Sequence, residues 1–226
     1  MNRHPLDRPI WSALTGRHAA LADGDALARR YDPAVSAFAA ARDDSPPALL
    51  ALATLAKPGS GLLLLQADAV VVPSGLVAVS TAEAVQMIAE QPATIEHDDR
   101  IEQLGASDIP AMQALADLTK PGPFTPRALD LGSFWGVKID GRLAAMAGER
   151  LKPDGFTEIS GVCSHPEARG QGLARLLSMY VAGRILERSE VPFLHAYATN
   201  QAAIRLYETI GFRLRSAMHV AVLERG

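Results

Sequence analysis

A single cysteine, Cys163, rules out an internal disulfide framework. The six histidines include no His-x-x-x-His pair, and no Cys-x-x-Cys pair exists, so the spacing that sets two metal ligands on one turn is missing and no metal is expected. Aromatic residues are scarce at 5%, which leaves the core to aliphatic side chains. Apolar runs are short: Gly61 to Leu65 and Ala69 to Pro73 fall far below the ~20 residues of a membrane span. Met1-Asn2-Arg3-His4-Pro5 does not lead into an uninterrupted apolar segment with a cleavage signal, so a soluble cytoplasmic protein without a membrane partner is expected. There is no excess of positive charge. The 22 Lys+Arg against 25 Asp+Glu give a formal charge of -3, and without a basic field nucleic acid is not an expected partner. Gly-x-Ser-x-Gly occurs nowhere, which removes support for serine hydrolase chemistry.

What is present is a chain of 226 residues with 48% apolar content, enough for one large domain or two small ones. Residues 11–42 read as Ala- and Leu-rich helical segments broken at Asp23-Gly24-Asp25 and Asp32-Pro33. Ser45-Pro46-Pro47 precedes a helix over Ala48–Ala56. Leu62–Gln66, Val70–Val72 and Leu76–Val79 read as short strands punctuated by Pro58-Gly59 and Pro73-Ser74-Gly75. Gln91-Pro92 and the polar passage Thr94–Asp99 place a boundary between an N-terminal α/β domain, residues 1–93, and a second domain, residues 94–226. A degenerate copy of the second domain remains an option for the first. In the second half Ser107-Asp108 caps a helix to about Leu118, and Thr125-Pro126 has the form of a further helix start. Phe134–Ile139 and Leu143–Arg150 form a hairpin across Asp140-Gly141. Phe156–Cys163 is a strand that alternates Glu158 and Val162 on one face with Ile159, Gly161 and Cys163 on the other. Then come a helix from Leu173, a strand over Val191–Ala198, a helix over Asn200–Ile210 stopped by Gly211, and closing strands from Phe212 to Leu223.

Arg169-Gly170-Gln171-Gly172-Leu173-Ala174 opens the helix that begins at Leu173. Glycines there let a ligand approach the backbone, and the helix start offers unpaired N–H groups, so phosphate is the natural guest. Residues 169–188 hold four arginines against one glutamate, opposing the chain's net sign. No lysine follows a glycine, so this is not a Walker loop, and Arg175 stands where a dinucleotide fingerprint needs its third small residue. A tight turn with solvated arginines is the bland alternative.

Val162-Cys163-Ser164-His165-Pro166, then Arg169-x-x-Gly172-x-Ala174 and its helix, resemble motif A of the GNAT acetyltransferase family. Asn200-x-x-Ala203-x-x-x-Tyr207-x-x-x-Gly211-Phe212 resembles the family's second signature, so residues 94–226 are identified as a GNAT-like domain. The resemblance implies an α/β fold of α+β type, with a mixed, mostly antiparallel sheet flanked by helices. It implies N-acetyl transfer from acetyl-CoA directly to an acceptor amine, a small molecule or a protein N-terminus. Loop residues Arg169, Gly170, Gln171, Gly172, Leu173 and Ala174 would take the pyrophosphate. The edge of Gly161-Val162-Cys163 would take the pantetheine arm in a slot between two splayed strands, ending near Cys163 and Ala196.

By the same resemblance Tyr207 is the candidate general acid, Glu158 the candidate general base, and the Val162 N–H a candidate oxyanion donor. Each has a plainer alternative. Tyr207 lies on the apolar stripe Ala203, Leu206, Tyr207, Ile210; Glu158 reads also as an exposed edge carboxylate or one paired with an arginine, Asn200 serves as a helix cap as readily as a cofactor contact, and His195, a candidate proton relay, reads more simply as a satisfied structural residue. Nothing beside Cys163 activates a thiolate, which favours a ternary complex. A noncatalytic acyl-CoA-binding or regulatory module, and an enzyme for longer acyl-CoAs, stay open. The acceptor and the oligomeric state are not specified.

Overall fold

Proline and glycine positions set most of the element boundaries. The structure, a computed structural model, describes residues 4–57, 59–95 and 97–226. Met1 to Arg3, Pro58 of the expected Pro58-Gly59 break, and Glu96 of the polar passage lie outside the described residues. The first segment forms α1 (Pro9–Thr15), β1 (Ala22–Gly24), β2 (Ala28–Tyr31), β3 (Ala39–Ala41), α2 (Pro46–Leu55), β4 (Leu62–Gln66) and β5 (Leu76–Ile88). There follow β6 (Ile101–Leu104), α3 (Ile109–Thr119), β7 (Phe134–Ile139), β8 (Arg142–Glu149) and β9 (Phe156–Ser164). The chain closes with α4 (Leu173–Leu186), β10 (Val191–Tyr197), α5 (Gln201–Thr209) and β11 (Arg213–Arg225).

Eight strands form one sheet in the order β4-β11-β5-β10-β9-β8-β7-β6, in which the β9–β10 pair is parallel and the others antiparallel. On one face α4 and α5 bury Leu177, Val181, Ile185 and Tyr207 against Val137, Ile159 and Leu194. On the other, α3 buries Met112 and Leu115 against Phe134, Met146 and Cys163, and α1 buries Ile10 and Leu14 against Leu65, Phe193 and Met218. The α2 helix and the small β1-β2-β3 sheet cover Leu62, Leu64 and Leu223. Among the described residues no helix is long and apolar enough to cross a membrane.

The sequence reading of residues 11–42 as helical is corrected beyond Thr15. Gly24, at φ +118°, turns β1 into β2, and Asp25 Oδ1 accepts from the Leu27 and Ala28 N–H groups to fix that turn. The small alanines of β3 are buried, with α2 packed on that strand, so tertiary packing overrides alanine's helix preference. Val70–Val72 form no strand, and Val71 and Val72 are exposed. Thr125-Pro126 yields a single turn at Ala128–Asp130 rather than a helix. β5 runs well past Val79, and the short edge strand β6 carried no pattern. The boundary expected near residue 93 falls in the connection from β5 to β6, and the eight-stranded sheet crosses it, since β5 pairs with both β10 and β11.

Candidate active site

The parallel ladder between β9 and β10 runs from Phe156 opposite Val191 to Ile159 opposite Leu194 and stops, although both strands continue. The cause is a bulge in β9. On its other side β9 pairs Cys163 with Met146 and Ser160 with Gly148, so Gly161 and Val162 together face Ala147 alone. Gly161 has φ +64°, and a Cβ there would stand 2.8 Å from the Phe134 ring. The ring has no room to yield, because it also lies over Gly148, where a Cβ would meet it at 2.4 Å. The extra residue reverses the alternation read from the sequence: Val162 joins Ile159 toward α4, and Cys163 turns to the α3 side. Gly161→Ala should therefore cost about 1–3 kcal/mol and lower the melting temperature by several degrees. An unchanged melt would mean that the bulge relaxes without strain.

At the open end of these strands Gly170 and Gly172 take φ +78° and +74°, and a Cβ on either would meet nothing within 4 Å. That open space lies against the first turn of α4, where N–H groups lack helical partners. A cleft of about 730 Å³ joins this loop to the gap between β9 and β10. Of the residues singled out in the sequence for the cofactor, all line it except Gln171, which is exposed beside it. Arg169 and Arg175 also line it, and among the described residues neither has an ion-pair partner. Open space over the glycines, a helix start and two free guanidinium groups fit a pyrophosphate. Asn200 does two jobs at once: its Oδ1 caps α5 by accepting from the Ala203 N–H at 3.1 Å, and the residue lines the cleft.

Tyr207 packs edge-on to Phe212 and lines the same cleft, with 7% of its surface exposed. Among the described residues its hydroxyl has no hydrogen-bond partner. Burial, and then the nearby Cys163, push its pKa above the ordinary tyrosine range. Burial likewise pushes the Cys163 thiol up to about 11, which keeps it a thiol.

Glu158 has a setting different from the one expected of a base. It is fully buried and does not line the cleft. Its Oε1 accepts from Arg150 Nη2 at 2.7 Å and His195 Nδ1 at 2.7 Å; its Oε2 accepts from Arg150 Nε at 2.9 Å and the Leu151 N–H at 3.2 Å. All four acceptor positions are filled. Burial alone would raise this carboxyl, but Arg150, followed by His195, outweighs it and holds the group well below the usual carboxylate range. His195 does line the cleft, yet both its ring nitrogens are committed. Arg215 Nη1 donates to Gln86 Oε1 at 2.8 Å and Gln86 Nε2 donates to the Leu6 carbonyl at 2.9 Å, which fixes the amide. The second amide hydrogen then points at His195 Nε2, 2.9 Å away, so Nδ1 carries the proton given to Glu158. The residue that sequence reasoning missed is Arg150, at the end of a strand and named there only as a terminus. It lines the cleft and holds Glu158 with a two-pronged grip.

The family model described as FR47-like protein matches residues 136–220. The crystal structure of a GNAT-family protein from Novosphingobium aromaticivorans is 45% identical, covers 99% of this chain and 100% of its own, and superposes with a TM-score of 0.93. A GCN5-related N-acetyltransferase from Kribbella flavida shares the fold at 19% identity, with 97% and 96% of the two chains covered and a TM-score of 0.64. The chain belongs to the GNAT family. Among curated proteins it resembles mycothiol acetyltransferases from Acidothermus cellulolyticus, 40% identical over 91 residues, and Thermomonospora curvata, 34% over 110. Those stretches cover 37% and 44% of this chain, and the chain spans only 27% and 37% of those relatives.

Proposed function

We propose that the chain transfers an acetyl group from acetyl-CoA directly to an acceptor amine, with Tyr207 as the proton donor. The observation that carries this reading is the continuous cleft from the open ends of β9 and β10 to the glycine loop at the start of α4. Family membership and the acetyltransferase relatives support it.

In this reading the backbone of residues 169–174, with Arg169 and Arg175, holds the pyrophosphate, and the unpaired stretch of β9 beyond Ile159 holds the pantetheine arm. Bound acetyl-CoA supplies a thioester, in which a C–S bond breaks as the C–N bond to the amine forms. The N–H of Val162, in the register break of β9, is the donor to the carbonyl oxygen. Tyr207 Oη holds the proton that the leaving sulfur takes, and burial keeps that proton in place at neutral pH. The amine's own proton passes to water in the cleft, and water returns a proton to the Tyr207 oxygen, so the phenol is restored. Glu158 acts by position, fixing Arg150 and His195, rather than as the base. Residues 1–93 supply part of the acceptor side, through Phe38, Leu63 and Leu65, to the chemistry of residues 94–226. With a cosubstrate that cells hold inside, the reading carries a cytoplasmic location.

Calorimetric titration with acetyl-CoA tests this. Wild type should bind at micromolar concentration, and the Arg169→Ala, Gly172→Asp double variant should lose at least about 100-fold through one missing charged contact and one added repulsion. A folded wild-type protein that fails to bind at millimolar acetyl-CoA overturns the reading.

A further inference from the structure

We infer that the acceptor carries a carboxylate, held by Arg150, beside an apolar body, as in an α-amino acid with an aliphatic or aromatic side chain. The inference rests on the acetyl-transfer reading and specifies its acceptor.

Arg150 spends Nε and Nη2 on Glu158. Its third nitrogen, Nη1, has no hydrogen-bond partner among the described residues, although the side chain is only 14% exposed and lines the cleft. The Phe38 ring lies 4.8 Å from the guanidinium carbon, and a Cβ on Gly122 would stand 3.9 Å from Nη1. The guanidinium is thus fixed from below by Glu158 and on one side by an aromatic ring, with one edge left to a ligand. An arginine cannot shed its proton, so a partly desolvated N–H edge of this kind calls for an acceptor, best an anionic one.

The rest of the cleft agrees. Its charged lining is Lys120, Arg150, Arg169 and Arg175, and among the described residues no Asp or Glu lines it. Arg169 and Arg175 flank the glycine loop, whereas Lys120 sits on the rim next to the Pro121-Gly122-Pro123 turn that reaches Arg150. A polyamine or aminoglycoside would enter with several cations and meet no counter-charge. An amino acid brings its own. Its carboxylate pairs with Arg150, and the surrounding positive charge lowers the pKa of its amine toward the neutral form that attacks. Leu63, Leu65, Ala84 and Val220 form an apolar wall in the same cleft, suited to the side chain.

The test uses the full chain and matched acceptors: L-leucine and L-phenylalanine, their amides, and spermidine, followed by CoA release and by mass of the product. The acids should exceed their amides by about 10- to 100-fold in kcat/KM. That order runs against intrinsic reactivity, because the amides have the less basic amine and the larger neutral fraction. Lys120→Ala, an exposed site, should weaken use of the acids by up to about fivefold and use of the amides by less, so that the acid-to-amide ratio falls. Arg150→Lys should erase the preference if it folds, while the acid-to-amide ratio of wild type does not depend on that variant. Amides used as well as acids, or spermidine used best, overturns the inference and leaves acetyl transfer standing. Failure of acetyl-CoA to bind would sink the transfer reading instead. In that case titration of the free protein with N-acetyl-L-leucine and its amide still reads the carboxylate site: a tenfold preference for the acid supports it, and equal or absent binding overturns it.

Discussion

Tyr207→Phe is expected to slow CoA release by about 10²- to 10⁴-fold while acetyl-CoA affinity stays at the wild-type value. The substitution removes only the hydroxyl and keeps the ring that packs on Phe212 in the buried cluster that includes Ile210. Because that hydroxyl has no hydrogen-bond partner among the described residues, its loss leaves no other group unsatisfied, and stability should hold or rise slightly. A Tyr207 kept only for packing would give unchanged turnover. Loss of both turnover and melting temperature would point to disrupted packing instead of a missing proton. The pH profile adds a separate check. Burial raises the folded pKa of this phenol, so the donor form is complete below the ordinary tyrosine value near 10 and is lost only above it. Deprotonation of the attacking amine raises the rate across about pH 8 to 9.5, so any fall in kcat there belongs to a group other than Tyr207 or the amine.

The loop and the closing helix were legible because their chemistry is local. Gly170 and Gly172 adopt the positive φ that only their composition advertises, and Asn200 caps the helix that its spacing to Ala203 announces. The same holds for the hairpin at Asp140-Gly141, where φ is 49° and 74°. What sequence reasoning could not supply depends on contacts distant along the chain. β5 was read only to Val79, since its second half, Ser80–Ile88, shows no alternation until β10 and β11 enclose it. Glu158 was read as a candidate base from the family resemblance; its partners Arg150 and His195 lie on the neighbouring strands β8 and β10 or at their ends, and no local pattern links them. The bulge at Gly161 left one trace, a glycine inside a strand, and that trace was read as ordinary alternation. Phe134 explains the glycine, but only once β7, β8 and β9 stand side by side.

Arg150→Met should lower stability by about 3–5 kcal/mol at neutral pH, measured as a shift in urea midpoint. The methionine replaces the bulk of the arginine stem but leaves the Glu158 carboxylate buried with only the Leu151 N–H and His195 as donors. The sign of the pH dependence separates this cause from simple loss of packing. In wild type the folded carboxyl titrates below its ordinary value of 4.5, so the pair's contribution is complete above that value and fades as pH falls beneath it. In the variant burial is no longer outweighed, the folded pKa rises, and the protonated carboxyl becomes the form the fold tolerates. The gap between wild type and variant should therefore be widest near pH 7 and narrow toward pH 4, whereas a packing defect would cost the same at both. Adding Glu158→Leu to Arg150→Met removes the unpaired charge and should recover part of the loss, with His195 Nδ1 then the group left without an acceptor. Recovery in the double variant would show that the pair is dispensable for folding. The role of the pair then lies in what it presents: a guanidinium gripped on two nitrogens, with the third left without a partner among the described residues beside the cleft.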